Sequence, residues 1–140
     1  ITVLSFIIFS IHINTYIIVM MKDVPLSPTV LAFVLLIISN CFMTLAWYGH
    51  LKFLHHAPFW QAILFGWTIA LLEYSFMIPA TRLLSDQGWT LGEMKITQEV
   101  VTLIVFVPFM VLLFKQPFKL DYVWAMLCLF GCVYFVFRSQ

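Results

Sequence analysis

Four long apolar runs dominate this chain: residues 28–51, 59–81, 91–114 and 121–137. Each is about 17 to 24 residues long, which at 1.5 Å per residue gives roughly 25 to 36 Å of helix, matched to a hydrocarbon core about 30 Å thick. The chain is 64% hydrophobic and 9% charged, with a mean hydropathy of +1.05 over 140 residues. A soluble domain of that size buries only about two-thirds of the surface its unfolded chain exposes, too little to hide so much apolar side chain. The expected fold is therefore an all-α membrane protein, a four-transmembrane-helix bundle whose solvent is lipid.

The ends of the runs carry their own signals. Ser27 can cap the first run and Pro28 suits its first helical position; Lys52 and the His55-His56 pair end it at an interface. Pro58 opens the second run, which is expected to close between Pro79 and Arg82. Thr90 and Glu93 have capping-box spacing at the start of the third, and Pro108 should kink it. Asp121 starts the fourth and Arg138 stops it.

Residues 1–24 read differently from residues 25–140. They are apolar but interrupted by Ser5, Ser10, His12, Asn14 and Thr15, and they lack a basic leader and a small-residue cleavage site. The chain begins with Ile, and Met20 and Met21 precede the point where a four-helix protein would start. The expectation is an extension ahead of the membrane domain, from upstream sequence or a misplaced start, in preference to a fifth helix. With four helices, Lys22, Arg82, Lys95 and Arg138 flank one side, and Lys52, Lys115 and Lys119 the other. Four against three barely biases insertion, so one or both orientations are allowed.

Glu73 is the one charge within residues 59–81. An ionisable group at membrane depth costs several kcal/mol on most scales, and such groups mark ion or substrate pathways. Residues three, four and seven apart share a helix face, so Glu73 lies with Gly66 and Ala70 behind it and Phe76, Met77 and Ala80 ahead. Gly66 and Ala70 form a small-xxx-small pair at which another helix can approach closely. The acid thus points into a bundle or cavity; the competing reading has it locking helices together, protonated or paired with a helix-end base such as Arg82.

The third run carries Lys95, Glu99 and Thr102 on one stripe. A local Lys95–Glu99 ion pair near an interface competes there with a second acid at a cavity mouth, and the ion pair is the simpler reading. In the first run Asn40, Thr44, Trp47 and Tyr48 share a face. Two aromatics and an amide could wall a site for an apolar or cationic ligand, though Trp47 and Tyr48 also sit where interfacial belts form. Asn40 reads best as an interhelical hydrogen-bonding residue. In the fourth run Ala125, Cys128 and Cys132, with Gly131 adjacent, make a seam for packing or dimerisation, and all three cysteines, Cys41 included, read as small buried residues.

Several function classes find no support. A net charge of +1 lacks the clustered basic surface of a nucleic-acid binder. His50, His55 and His56 show no spacing that brings further ligands together, so no metal site is expected. There is no nucleophile triad, phosphate-binding glycine loop or haem motif, hence no enzyme and no cofactor.

The strings SNCFMTLAWYGHLK (39–52), FGWTIALLEYSFMIPATR (65–82), MKITQEVVTLIVFVPF (94–109) and DYVWAMLCLFGCVYFVF (121–137) resemble a small bacterial family of four-helix membrane proteins placed in the drug/metabolite transporter superfamily. The resemblance spans residues 25–138, and its matching motif residues are Asn40, Trp47, Tyr48, Glu73, Pro79, Arg82, Gln98, Glu99 and Pro108. In size and helix count the chain is similar to the small multidrug resistance transporters. Those keep their essential carboxylate in the first helix, where this chain has Asn40 and no acid, so their residues do not carry over. The resemblance implies an inner-membrane transporter of a small organic solute or cation, with Glu73 as proton- or substrate-binding acid. One four-helix chain is too small to enclose a solute pathway, which points to a homodimer. The alternative is a non-transporting structural membrane protein.

Overall fold

The structure is a computed structural model that describes residues 2–138, with the side chains of residues 2, 3, 6, 21 and 22 outside the described set. The side chain of Lys22, counted above among the flanking basic residues, is one of these. Five helices follow one another: α1 (Thr2–Asp23), α2 (Pro28–Phe53), α3 (Phe59–Asp86), α4 (Leu91–Phe114) and α5 (Asp121–Arg138). No strand occurs among the described residues. Of these helices, α2 to α5 are long and apolar enough to cross a membrane, and α1 contains a shorter apolar stretch, Ile7–Met20.

The caps expected from sequence are formed. Val30 N donates to Ser27 Oγ ahead of Pro28, and Thr90 and Glu93 make a reciprocal capping box at the start of α4. After α3 the chain turns through Gly88 at φ +85°, a conformation that favours a residue without Cβ. At the far end of α4, Lys115 is left-handed, and the Lys52 ammonium at the end of α2 donates to the carbonyl of Leu113. That contact satisfies one of the carbonyls a helix C-terminus leaves unpaired.

The end of the second run differs from the sequence expectation. The second run does not close between Pro79 and Arg82, because α3 continues through a buried Pro79 to Asp86. Proline removes the N–H that would pair with Ser75 O, but a single such loss is tolerated in a membrane helix supported by its neighbours. Residues 2–23 form a helix, the alternative that the sequence left open beside an extension ahead of the four-helix domain. Ser75 Oγ donates to Leu71 O at 2.9 Å, leaving its oxygen free to accept from Ser10 Oγ at 2.6 Å. The polar interruptions that set this segment apart in sequence therefore include the residue that docks it.

The helices pack in the order α1, α3, α2, α4, α5, with α2 against α3 the most extensive contact. The core is Ala32, Leu35 and Leu36 of α2, Ala80 and Leu84 of α3, and Val101 of α4. A Cβ on Gly66 would come within 3.1 Å of Ala46 O, so the small-residue face of α3 does bring the α2 backbone close. By contrast α5 has no buried residue among those described, and Cys41, Cys128 and Cys132 are all exposed. The expectation of buried cysteines fails: Cys41 is exposed on α2, and α5 packs mainly on α4, with Phe137 also against Trp89 of the α3–α4 turn, leaving its small-residue seam uncovered within one chain.

Candidate functional site

Extension of α3 to Asp86 changes the depth of Glu73. Asn40, Glu73 and Thr102 each lie within one residue of the midpoint of α2, α3 and α4, so three polar residues share one level at the centre of the bundle. That level is the middle of three helices of membrane-spanning length, and transporters of several folds place their sites near the middle of such helices.

Each of these groups has a partner. Glu73 is 6% exposed, and its Oε1 accepts from Ser39 Oγ at 3.3 Å across the α2–α3 contact. Asn40 is 1% exposed; its Nδ2 donates to Leu36 O at 2.7 Å, and its Oδ1 lies 2.6 Å from Thr102 Oγ1. The Thr102 hydroxyl is also 2.7 Å from Gln98 O, and its single proton serves one of the two acceptors at a time. Among the described residues no buried side-chain polar atom is left unpaired.

Glu73 also borders a cavity of about 390 Å³ between α2, α3 and α4. Its wall includes Trp47 from α2, Tyr74 and Met77 beside Glu73 on α3, and Lys95, Gln98, Glu99 and Thr102 from α4. Lys95 Nζ and Glu99 Oε1 form an ion pair at 2.6 Å, with side chains 67% and 44% exposed. The buried carboxylate is thus the floor, and the ion pair lies toward the start of α4. A neighbouring cavity of about 220 Å³ shares Trp47, Glu99 and Thr102 and adds Tyr48 and Phe106, whose ring centroids are 5.3 Å apart. Glu99 and Trp47 therefore stand between two chambers, one acidic and one aromatic.

Of the residues singled out in sequence, the structure brings Glu73, Glu99, Trp47, Lys95, Gln98 and Thr102 to one cavity and Tyr48 to the adjoining one. Asn40 lies just behind, bonded to Thr102. Arg82 is not part of this group: it borders a separate cavity of about 420 Å³ between α1 and α3, with Asn14 and Asp86. Sequence reasoning missed Ser39 as the partner of Glu73, and Met43 and Tyr74 as lining. Ser39 carried a usable signal, a hydroxyl beside Asn40 in an otherwise apolar run. Among the described residues no group of three or more His, Cys, Asp or Glu is placed to hold a metal ion.

Four helices of membrane-spanning length and apolar composition define an integral membrane protein. Residues 32–137 match the family DMT_6, described as "Putative member of DMT superfamily (DUF486)", and the chain belongs to that family. Members of that superfamily are transporters. No curated protein and no solved structure matches the chain.

Proposed function

We propose that this protein moves a small organic solute or cation across a membrane by alternating access, with Glu73 as the group that exchanges a proton for the solute. The observation that carries this reading is the shared cavity: a buried midplane carboxylate and a second acid, Glu99, line one space of about 390 Å³ with Trp47, Gln98 and Thr102. A carboxylate kept in such a place solely for packing would need no adjoining space. Polar side chains that face a cavity inside a membrane typically mark the transported species' route. Pro79 in α3 and Pro108 in α4 are positions where the two helices can bend around the site.

The working unit in this proposal is a homodimer, inserted in one or both orientations, in a bacterial inner membrane. One chain leaves the small residues Ala125, Cys128 and Cys132 of α5 uncovered, and small residues allow close approach of a second helix. The test is uptake in reconstituted vesicles under an imposed pH gradient, screening amines, quaternary ammonium compounds, amino acids and sugars. Uptake of at least one class should be lost in Glu73→Gln; uptake undiminished in the variant refutes the proposal.

A second reading, a structural membrane protein, draws on the bonds Ser10–Ser75, Ser39–Glu73 and Asn40–Thr102, each of which ties two helices together. On that reading no solute would be driven by the gradient in the wild-type protein, and disrupting these pairs would alter stability alone.

A further inference from the structure

The charge count of the cavity leads beyond the transport reading on which it rests. Around this space the described lining carries three charged side chains: Glu73, Glu99 and Lys95. Arg82 borders a different cavity, and Lys52 is tied to the end of α4. The lining also includes the phenol of Tyr74, and the adjoining chamber adds that of Tyr48. Among the described residues, α5 contributes the apolar Leu129 to the adjoining chamber's lining. Two carboxylates and one ammonium leave one net negative charge when both acids are ionised, and none when Glu73 holds a proton.

We infer that Lys95 is a resident counter-ion that fixes the charge of the transported species: the cavity takes either one proton on Glu73 or one singly charged organic cation, and excludes dications. The Lys95–Glu99 pair at 2.6 Å already neutralises the outer acid. What remains for an incoming cation is the inner carboxylate, with the aromatic faces of Trp47 and, in the next chamber, Tyr48 and Phe106. Aromatic faces attract an organic cation and do so best where water is scarce. A second positive charge on the ligand would have no partner, and an unpaired charge in a partly hydrated site is costly. Binding is then an exchange in which one cation enters and one proton leaves Glu73. Lys95 acts as a specificity-determining residue through its charge, not by touching the proton that moves.

The test compares two flat bicyclic cations of nearly the same shape, N-methyl-4-phenylpyridinium (one charge) and methyl viologen (two), binding to the purified full-length protein in detergent. The wild type should prefer the monocation on the order of tenfold or more, the scale set by one unpaired unit charge in a partly hydrated site. It should release about one proton per cation bound, and Glu73→Gln should release none. Lys95→Gln should invert the preference toward the dication, and Lys95→Arg, which keeps the charge, should retain the wild-type order. Removal of an exposed helix-surface ion pair costs little stability, so these variants should fold, as checked by their elution profile. Equal binding of both cations by the wild type, or an unchanged preference in Lys95→Gln, overturns the inference. Failure of the monocation to bind the wild type also overturns it, whereas gradient-driven uptake of another solute in vesicles would still support Glu73 as the exchanging group.

Discussion

The Asn40–Thr102 bond makes a prediction whose sign depends on the background in which it is measured. Thr102→Val keeps the side chain's shape but removes the hydroxyl, leaving Asn40 Oδ1 with no donor at a position 1% exposed. An orphaned buried acceptor costs about 1 to 3 kcal/mol, so we take about 2. Asn40→Ala leaves no orphan: Thr102 Oγ1 still has Gln98 O at 2.7 Å, and Leu36 O retains its helical N–H. Its cost is one interhelical polar contact plus a small void, about 1 kcal/mol in a membrane protein. The double variant also lacks the orphan and should lie near the Asn40→Ala level. Asn40→Ala should therefore destabilise the wild type by about 1 kcal/mol and stabilise the Thr102→Val protein by about 1 kcal/mol, a coupling of about 2 kcal/mol. Reversible unfolding in mixed micelles, followed by tryptophan fluorescence, supplies the four free energies. Equal costs for Asn40→Ala in both backgrounds would refute the assignment of Thr102 as the donor that Asn40 depends on.

Two further substitutions probe the frame around the site. Gly66→Val places branched carbons where even a Cβ would come within 3.1 Å of the Ala46 backbone oxygen, and should lower unfolding stability by about 1 to 3 kcal/mol through overpacking. Ser10→Cys with Ser75→Cys, in a chain whose three native cysteines are replaced, should cross-link readily under mild oxidation, since the two hydroxyl oxygens are 2.6 Å apart. Absence of that cross-link in membranes, read by mobility on a non-reducing gel, would contradict the docking of α1 on α3.

The α2 and α4 starts were legible because local chemistry decides them: Ser27-Pro28 and the Thr90/Glu93 box satisfy backbone donors within a few residues. Pro79 was misleading for the opposite reason. Its effect depends on what supports the helix around it, and Pro79 is buried in contact with the bundle, so α3 runs on and Glu73 moves to mid-depth. The exposed cysteines of α5 were misread because apolar composition cannot separate a helix facing lipid from one facing protein. At the site, helical spacing alone put Glu73 on the same face as Gly66 and Ala70. Its hydroxyl partner Ser39 and the facing Glu99 lie on other helices, and a single sequence contains no record of which helices meet.

Glu73 as the exchanging acid is tested most directly by proton counterflow in vesicles loaded with a pH-sensitive dye. Glu73→Gln retains an oxygen that can accept from Ser39 Oγ, so the fold should survive and a loss of signal would report chemistry. On adding a transported solute, wild-type vesicles should show a pH change in step with solute movement, and Glu73→Gln vesicles should show none. An undiminished proton signal in Glu73→Gln would contradict the central claim.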